Sequence, residues 1–394
     1  MALLDLWNEK PEQLKDKQVQ QLIAFAGDGR LLDNSECSKE FRSFLSNIPS
    51  FHLINYANQI LNNPFADSGM ALQDIVNEMG ERLGATVSRG LYHGKKNSIG
   101  FDGLWKFPCD HSIIVEIKTT SAFNIALDTI SNYRKKLIEA DQVSEEKSSI
   151  LLIVGKQQTR DLEAQIRGSR HAWDVRLISI NALVNLMSIM EDVEDPHLVQ
   201  RIHQILIPRE FTRLDDIAEI LFSAAEEIKQ DVIAIDVQEE VVDKKSIEPK
   251  LTPVSFHEAC IKRIQSAIHE NLIKRTKAQY STANKTTFIN CAVSKEHNPD
   301  TKPNYWFSFH PHQREALSKA GKAFVAFGCG TSKQVILIPF CEFEPLIDGM
   351  WTTEKEDRKY WHVVIYYKDS KYLLHRKKGQ KIIDLTNYLI PENV

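Results

Sequence analysis

Apolar positions recur at three- and four-residue spacing from Pro11 to Leu61: Leu14, Val19, Leu22 and Ile23, then Phe41, Phe44 and Leu45. That period marks one face of an α-helix, and Gly27-Asp28-Gly29 interrupts it where a turn fits. The pattern predicts a helical N-terminal region over residues 1–65. Leu72, Ile75, Val76, Met79 and Leu83 form a further stripe that Gly84, a favoured helix stop, closes. Three strands are predicted next, Thr86–Tyr92, Ile99–Lys106 and Ser112–Thr119, with turn residues between them that include Gly94 and Pro108-Cys109-Asp110. The helical period returns at Ile125, Leu127, Ile130, Tyr133 and Leu137, and Ile150–Val154 is the short apolar run of a strand buried on both faces. Asp161–Trp173 reads as helix, Val175–Ile178 as strand and Asn181–Met190 as helix. The order is α, β, β, β, α, β, α, β, α, in a domain placed at residues 66–230.

Residues 231–254 mix Asp, Glu, Lys and Ser with Val and reach Pro249 and Pro253, a composition suited to a linker. Beyond it, residues 255–394 read as a smaller α+β domain. A basic helix runs from Phe256 to about Ala278, followed by strands at Thr287–Val293, Trp306–Phe309, Ala323–Gly328, Val335–Pro339, Trp361–Tyr367 and Lys371–His375, with a helix at His312–Ala320 among them. The fold class is therefore α/β (α+β), two domains and a helical N-terminal region, which suits a chain of 394 residues.

Composition adds a soluble globular character, with 42% apolar and 26% charged residues. The net charge of −4 conceals an asymmetry: residues 256–394 hold 21 Lys and Arg against 14 Asp and Glu, so the remainder carries −11. The C-terminal end is the basic part, as a nucleic-acid-binding part would be. Six cysteines are scattered without a CxxC pair or a histidine at zinc-finger spacing, so no structural zinc is expected. No leader and no membrane-length apolar run is visible, and the expected location is the cytoplasm with reduced thiols.

The chemistry concentrates in Ile113-Ile114-Val115-Glu116-Ile117-Lys118-Thr119. Alternation on a strand sends Ile113, Val115 and Ile117 to one face and Glu116 and Lys118 to the other. Two opposite charges inside an apolar strand ask for a compensating ligand, such as a divalent cation with a substrate phosphate. Asp102, in Gly100-Phe101-Asp102-Gly103, lies on the preceding strand, where a hairpin brings it beside Glu116. Hard oxygen donors of this kind suit Mg²⁺, with Mn²⁺ as a substitute.

Asp102 followed by Glu116-Ile117-Lys118, in that order of elements, resembles the PD-(D/E)xK nuclease superfamily, the restriction-endonuclease-like proteins. Phe101 stands in place of the name-giving proline, and the resemblance covers about Leu72 to Ile178. It implies catalytic Asp102, Glu116 and Lys118, with Asp102 and Glu116 as metal ligands. Members often add an acidic residue from the helix before the first strand, for which Glu78 is the choice and Asp74 the runner-up. Lys156-Gln157-Gln158 and, on the helix after the fourth strand, Gln165, Arg167 and Arg170 are candidate phosphate contacts. His93, His111 and His171 lack an accompanying Ser or Cys motif, and Gly328-Cys329-Gly330 lacks the residues of a nucleotide cradle.

In the second domain Lys262, Arg263, Lys274, Arg275 and Lys277 are expected to bind DNA from the basic helix, with a further basic run at His375–Lys381. Tyr305, Trp306, Trp351, Tyr360, Trp361, Tyr366 and Tyr367 are interleaved with basic residues; core packing accounts for most of them, and base stacking is the other use. The resulting expectation is a Mg²⁺-dependent endonuclease acting on double-stranded DNA, of restriction or phage-defence type, with homodimer pairing if both strands are cut. Two alternatives are a ligand-gated nuclease effector and a DNA-binding protein that has lost the activity.

Overall fold

The computed structural model describes residues 3–93, 99–119, 126–155, 160–193, 195–208, 253–297, 303–354 and 359–391. The chain divides into two compact units, Met1–Val237 and Gln238–Val394. The linker expected at 231–254 lies, up to residue 252, outside the described residues. No helix among the described residues is long and apolar enough to cross a membrane.

The first unit opens with helices α1 Leu3–Glu9, α2 Glu12–Lys15, α3 Val19–Phe25, α4 Glu36–Asn47 and α5 Ser50–Asn62. Gly27 (φ 48°) and Gly29 (φ 74°) make the break between α3 and α4, where a Cβ on Gly27 would meet the Cys37 backbone nitrogen at 2.5 Å. Helix α6, Ser68–Arg82, precedes strands β1 Thr86–Arg89, β2 Gly103–Phe107, β3 His111–Lys118, β4 Ser148–Val154 and β5 Val175–Ser179, which form one mixed sheet in the order β1-β2-β3-β4-β5. The first three pair antiparallel, while β3, β4 and β5 pair parallel. Parallel neighbours need a crossover, supplied by α7 Leu127–Glu139 and α8 Arg160–Arg167. Helices α9 Ile180–Asp192 and α10 Pro196–Ile205 follow.

Two apolar clusters cover the two faces of this sheet. Ile113, Val115, Ile117, Leu151 and Ile153 join α6 and the N-terminal helices on one side, so residues 3–65 share a core with the sheet. Ile114, Ile150, Leu152 and Val154 join Leu127, Ile130, Leu137, Leu162 and Ile166 of α7 and α8 on the other. Strand β4 is buried along its whole length because it has helices on both faces. Each fully buried Leu or Ile contributes about 1.5–3 kcal/mol relative to exposure.

The expected helix at Asp161–Trp173 is shorter than its pattern: α8 stops at Arg167, before Gly168, and Arg170 lies beyond it. A similar correction applies in the second unit. Its first helix is Pro253–Ile268, closed by His269 in the left-handed region (φ 57°), so Lys274, Arg275 and Lys277 are not helical. They lie in and after β6 Ile273–Lys274, which pairs with β7 Gln279–Ser281.

Strands β8 Thr287–Ser294, β10 Lys322–Cys329 and β11 Val335–Pro339 complete a sheet ordered β11-β10-β8-β7-β6. A second sheet runs β12 Trp351–Glu354, β13 Lys359–Lys368, β14 Lys371–His375, β15 Ile383–Asp384, with β9 Asn304–Phe309 also on β13. Helices Pro311–Ser318 and Phe340–Ile347 lie between strands. The aromatic core of Tyr305, Phe307, Phe309, Phe327 and Phe343 sits between the two sheets, and the helix Pro253–Ile268 covers the far face of the first.

Candidate metal centre

Asp102 immediately precedes β2, and its backbone extends the ladder by donating to Val115 O at 3.1 Å. Its carboxylate Oδ2 accepts the Ile117 backbone N–H at 2.7 Å. That bond draws the carboxylate against the segment Glu116-Ile117-Lys118 from which the other two groups project. Lys118 Nζ donates to Glu116 Oε1 at 2.7 Å. The second oxygen, Glu116 Oε2, is buried and has no hydrogen-bond partner among the described residues. The sequence-predicted trio is thus brought together.

Helix α6 holds the Asp102 backbone from the other side. Gln73 Nε2 and Asn77 Nδ2 both donate to Asp102 O, at 3.0 and 2.9 Å, and Asn77 Oδ1 accepts from Trp105 Nε1 at 2.9 Å. A Cβ on Gly103 would lie 2.2 Å from Asn77 Oδ1, and one on Gly80 would lie 2.5 Å from the Trp105 ring, so both glycines permit this close approach. Sequence reasoning missed the two amides. Their signal was polar residues four apart on an otherwise apolar helix, a spacing that puts them on one face.

Glu78 and Asp74 do not join the trio. Helix α6 packs on the face of Val115 and Ile117, whereas alternation sends Glu116 and Lys118 to the face of Ile114, which meets α7. Glu78, buried, accepts from Arg82 Nε at 2.9 Å and Arg89 Nη2 at 3.3 Å. Asp74, fully buried, accepts from Arg42 Nε at 2.7 Å and from the Tyr92 hydroxyl. Both carboxylates are neutralised by arginines inside the protein, so the expectation that Glu78 completes the site is corrected.

Tyr133 of α7 is the further residue that the fold adds. Its hydroxyl stands beside Gly100, where a Cβ would meet it at 2.9 Å. Burial and then the Glu116 charge raise its pKa, while Lys118 acts the other way. Its place in the apolar stripe of α7 hid it from pattern reading.

Electrostatically the trio is a carboxylate pair with one counter-charge. Burial, then the Glu116 charge, push the Asp102 carboxyl up to about 7, against the Ile117 N–H and Lys118, which pull it down. Burial opposes the Lys118 charge, yet the bond to Glu116 and the two carboxylates hold its pKa above the ordinary value. In the unfolded chain Asp102 ionises near 3.8. Between that pH and about 7 the unfolded chain releases a proton that the folded carboxyl retains. Its contribution to stability therefore falls as pH rises through this window and is level above it. Asp102→Asn is expected to stabilise the metal-free protein by on the order of 2 kcal/mol at pH 8 and to have little effect below about pH 3. Urea unfolding across this range reads the difference, and a gap independent of pH would remove ionisation of Asp102 as its cause.

The candidate phosphate contacts are dispersed. Lys156, Gln157 and Gln158 lie outside the described residues. Gln165 and Arg167 are on α8, where Arg167 pairs with Glu163 at 3.6 Å, and Arg170 pairs with Asp128 at 2.8 Å. In the second unit Arg263 donates to Ile390 O and Pro391 O at 3.1 and 2.7 Å, and Arg275 to Ser281 Oγ at 2.8 Å, both bonds that serve the fold. Lys262 is exposed on its helix, while Lys274 and Lys277 are half-buried.

The described residues contain no group of three or more His, Cys, Asp or Glu that could hold a metal. Two carboxylates suffice for Mg²⁺, which completes its shell with waters and phosphate oxygens. The orphaned Glu116 Oε2 beside Asp102 fits such a cation in donor chemistry and in charge. Comparison with protein-family models and with curated protein sequences finds no match to this chain.

Proposed function

We propose that the first unit is a metal-dependent nuclease of the PD-(D/E)xK type that hydrolyses phosphodiester bonds of DNA. The observation that carries the reading is the convergence of Asp102, Glu116 and Lys118: one carboxylate tied to Ile117 N–H, the other keeping a buried oxygen without a partner, and a charged lysine beside both. The helix α6, the antiparallel β1–β2–β3, and the parallel β3–β4 joined by α7 support it as the frame that this resemblance implies.

Asp102 and Glu116 would hold Mg²⁺ or Mn²⁺. The chemistry a bound divalent cation supplies is polarisation of the phosphoryl oxygen and a more acidic water. Lys118 balances Glu116 in the free protein and, with substrate present, offsets negative charge growing on the phosphoryl oxygens and orients the attacking water. The Ile117 N–H fixes the Asp102 carboxylate, and Gln73 and Asn77 fix its backbone. The ligands therefore need little rearrangement on binding, which is where preorganisation lowers the barrier. The second unit, with the basic surplus, would hold the DNA.

The metal choice follows from the donors. Plasmid is expected to be nicked or linearised with Mg²⁺ or Mn²⁺. With Ca²⁺, which the same oxygens hold but which polarises water less, it is expected to be bound and left intact. Gel analysis with mobility-shift controls reads both outcomes. Full cleavage in EDTA would overturn the assignment.

A further inference from the structure

The sheet built on β13 turns two different faces outward and inward. Tyr305, Phe307 and Phe309 of β9, with Val363 and Ile365 of β13, point into the core between the sheets. The alternate residues point away from it, and they include Trp306 on β9, Tyr360, His362 and Tyr366 on β13, Trp351 on β12 and His375 on β14. Their ring contacts form two groups, Trp306, Tyr360 and His362 in one and Tyr366 and His375 in the other. Trp306 lies 5.6 Å from His362 and 6.3 Å from Tyr360, Tyr360 lies 5.1 Å from His362, and Tyr366 lies 4.4 Å from His375. Trp351 is the cross-strand partner of His362, so it shares their side.

The face is open yet ordered. Trp306 and Trp351 are each 41% exposed, an unusual cost for two large aromatics on one surface. Trp306 Nε1 donates to His362 Nδ1 at 3.0 Å, and Thr353 Oγ1 bonds His362 Nε2 at 2.7 Å, which fixes the rings before any ligand arrives. Charge lies at one end. Lys377 N donates to Gly349 O at 2.8 Å, and Arg376 packs against Gly349, two residues before Trp351. The basic turn Arg376-Lys377-Lys378, with Lys381, therefore borders the aromatic face beside Trp351, and the Arg376 guanidinium ties the turn together by donating to Lys381 O at 2.8 Å.

We propose that this face binds single-stranded nucleic acid, with unpaired bases stacked on Trp306, Trp351 and Tyr360 and phosphates held by the turn at Arg376–Lys381. Any base offers a π-face for stacking, but a duplex conceals those faces. A fixed aromatic platform beside a cluster of cations therefore suits an unpaired strand. The inference does not rest on the nuclease reading, because neither the metal nor Asp102, Glu116 and Lys118 takes part.

The test is fluorescence anisotropy of a labelled oligo(dT) of about 12 nucleotides with the full chain in EDTA, so that metal-dependent cleavage cannot intervene. Trp306→Ala and Trp351→Ala are each expected to weaken binding about tenfold, while Trp306→Phe stays near wild type because a ring remains. A duplex of the same length is expected to be bound by the alanine variants as well as by wild type, because its bases are already stacked. An oligo(rU) arm separates RNA from DNA, and tight binding of either strand supports the proposal. Unchanged affinity of the alanine variants for oligo(dT), or an equal loss of duplex binding in them, overturns it. So does a Trp306→Phe variant as weak as Trp306→Ala, which would assign the effect to the indole bond with His362. Self-association in sedimentation that the alanine variants abolish would give the face to a second copy of the chain, and also overturns it.

Discussion

Alanine at Glu116, at Asp102 or at Lys118 is expected to lower Mg²⁺-dependent DNA cleavage about a thousandfold or more. The three substitutions remove different things. Glu116→Ala deletes the buried oxygen without a partner and also the acceptor of Lys118. Asp102→Ala deletes the carboxylate that the Ile117 N–H holds in place. Lys118→Ala leaves both oxygens but removes the charge that offsets the phosphoryl oxygens. Glu116→Gln sharpens the comparison, since its amide oxygen can still accept from Lys118 while the carboxylate charge is gone. Single-turnover cleavage with saturating metal, accompanied by circular dichroism to show folding, measures the set. A wild-type rate in any one variant would remove that residue from the chemistry.

Arg82→Ala is expected to destabilise the first unit by about 3–5 kcal/mol, the range for breaking one partner out of a buried ion pair. Arg82 is almost wholly inaccessible. It donates to Glu78 Oε1 at 2.9 Å, to Ser50 Oγ at 3.0 Å, and to the carbonyls of Leu45 and Ile48 at 3.2 and 2.9 Å. Leu45 belongs to the last turn of α4, whose carbonyls have no partner within the helix, and a cation there also meets the favourable end of the helix dipole. One guanidinium therefore joins α6 to α4 and to the start of α5, and Ser50 passes the connection to Glu191 of α9. Its loss leaves Glu78 with the longer contact to Arg89 and several carbonyls unsatisfied. Thermal unfolding should show a fall of roughly 10 °C.

The same network separates the role of Glu78 from that of Glu116. Glu78→Gln is expected to cost about 1–3 kcal/mol of stability, with single-turnover cleavage near wild type at a temperature where the variant is folded. Loss of cleavage with stability intact would instead place Glu78 in the site.

Much of this protein is legible in its pattern of apolar and polar residues. The alternation over Ile113–Lys118 places Glu116 and Lys118 on one face of a strand, and the stripe from Leu72 to Leu83 makes α6. These are local properties: neighbouring residues share one backbone, so the period alone fixes which side each occupies. The edges were less legible. The helix predicted to continue to about Ala278 ends at Ile268, and Phe340–Ile347 gave no helical signal because Glu342 and Glu344 alternate with apolar residues and Pro345 lies inside it.

What the period could not decide was which groups face each other across the fold. Glu78 and Asp74 have the chemistry of metal ligands, but the face of the sheet on which α6 packs gives them to Arg82, Arg89 and Arg42. Tyr305 and Trp306 are adjacent aromatics of similar character, and only the pairing of β9 with β13 sends one into the core and leaves the other exposed. The sequence determined which charges and rings share a side of their strand or helix, because that follows from local backbone geometry. The tertiary structure determined their partners, because a buried charge takes whichever counter-charge the packing of distant segments brings within reach.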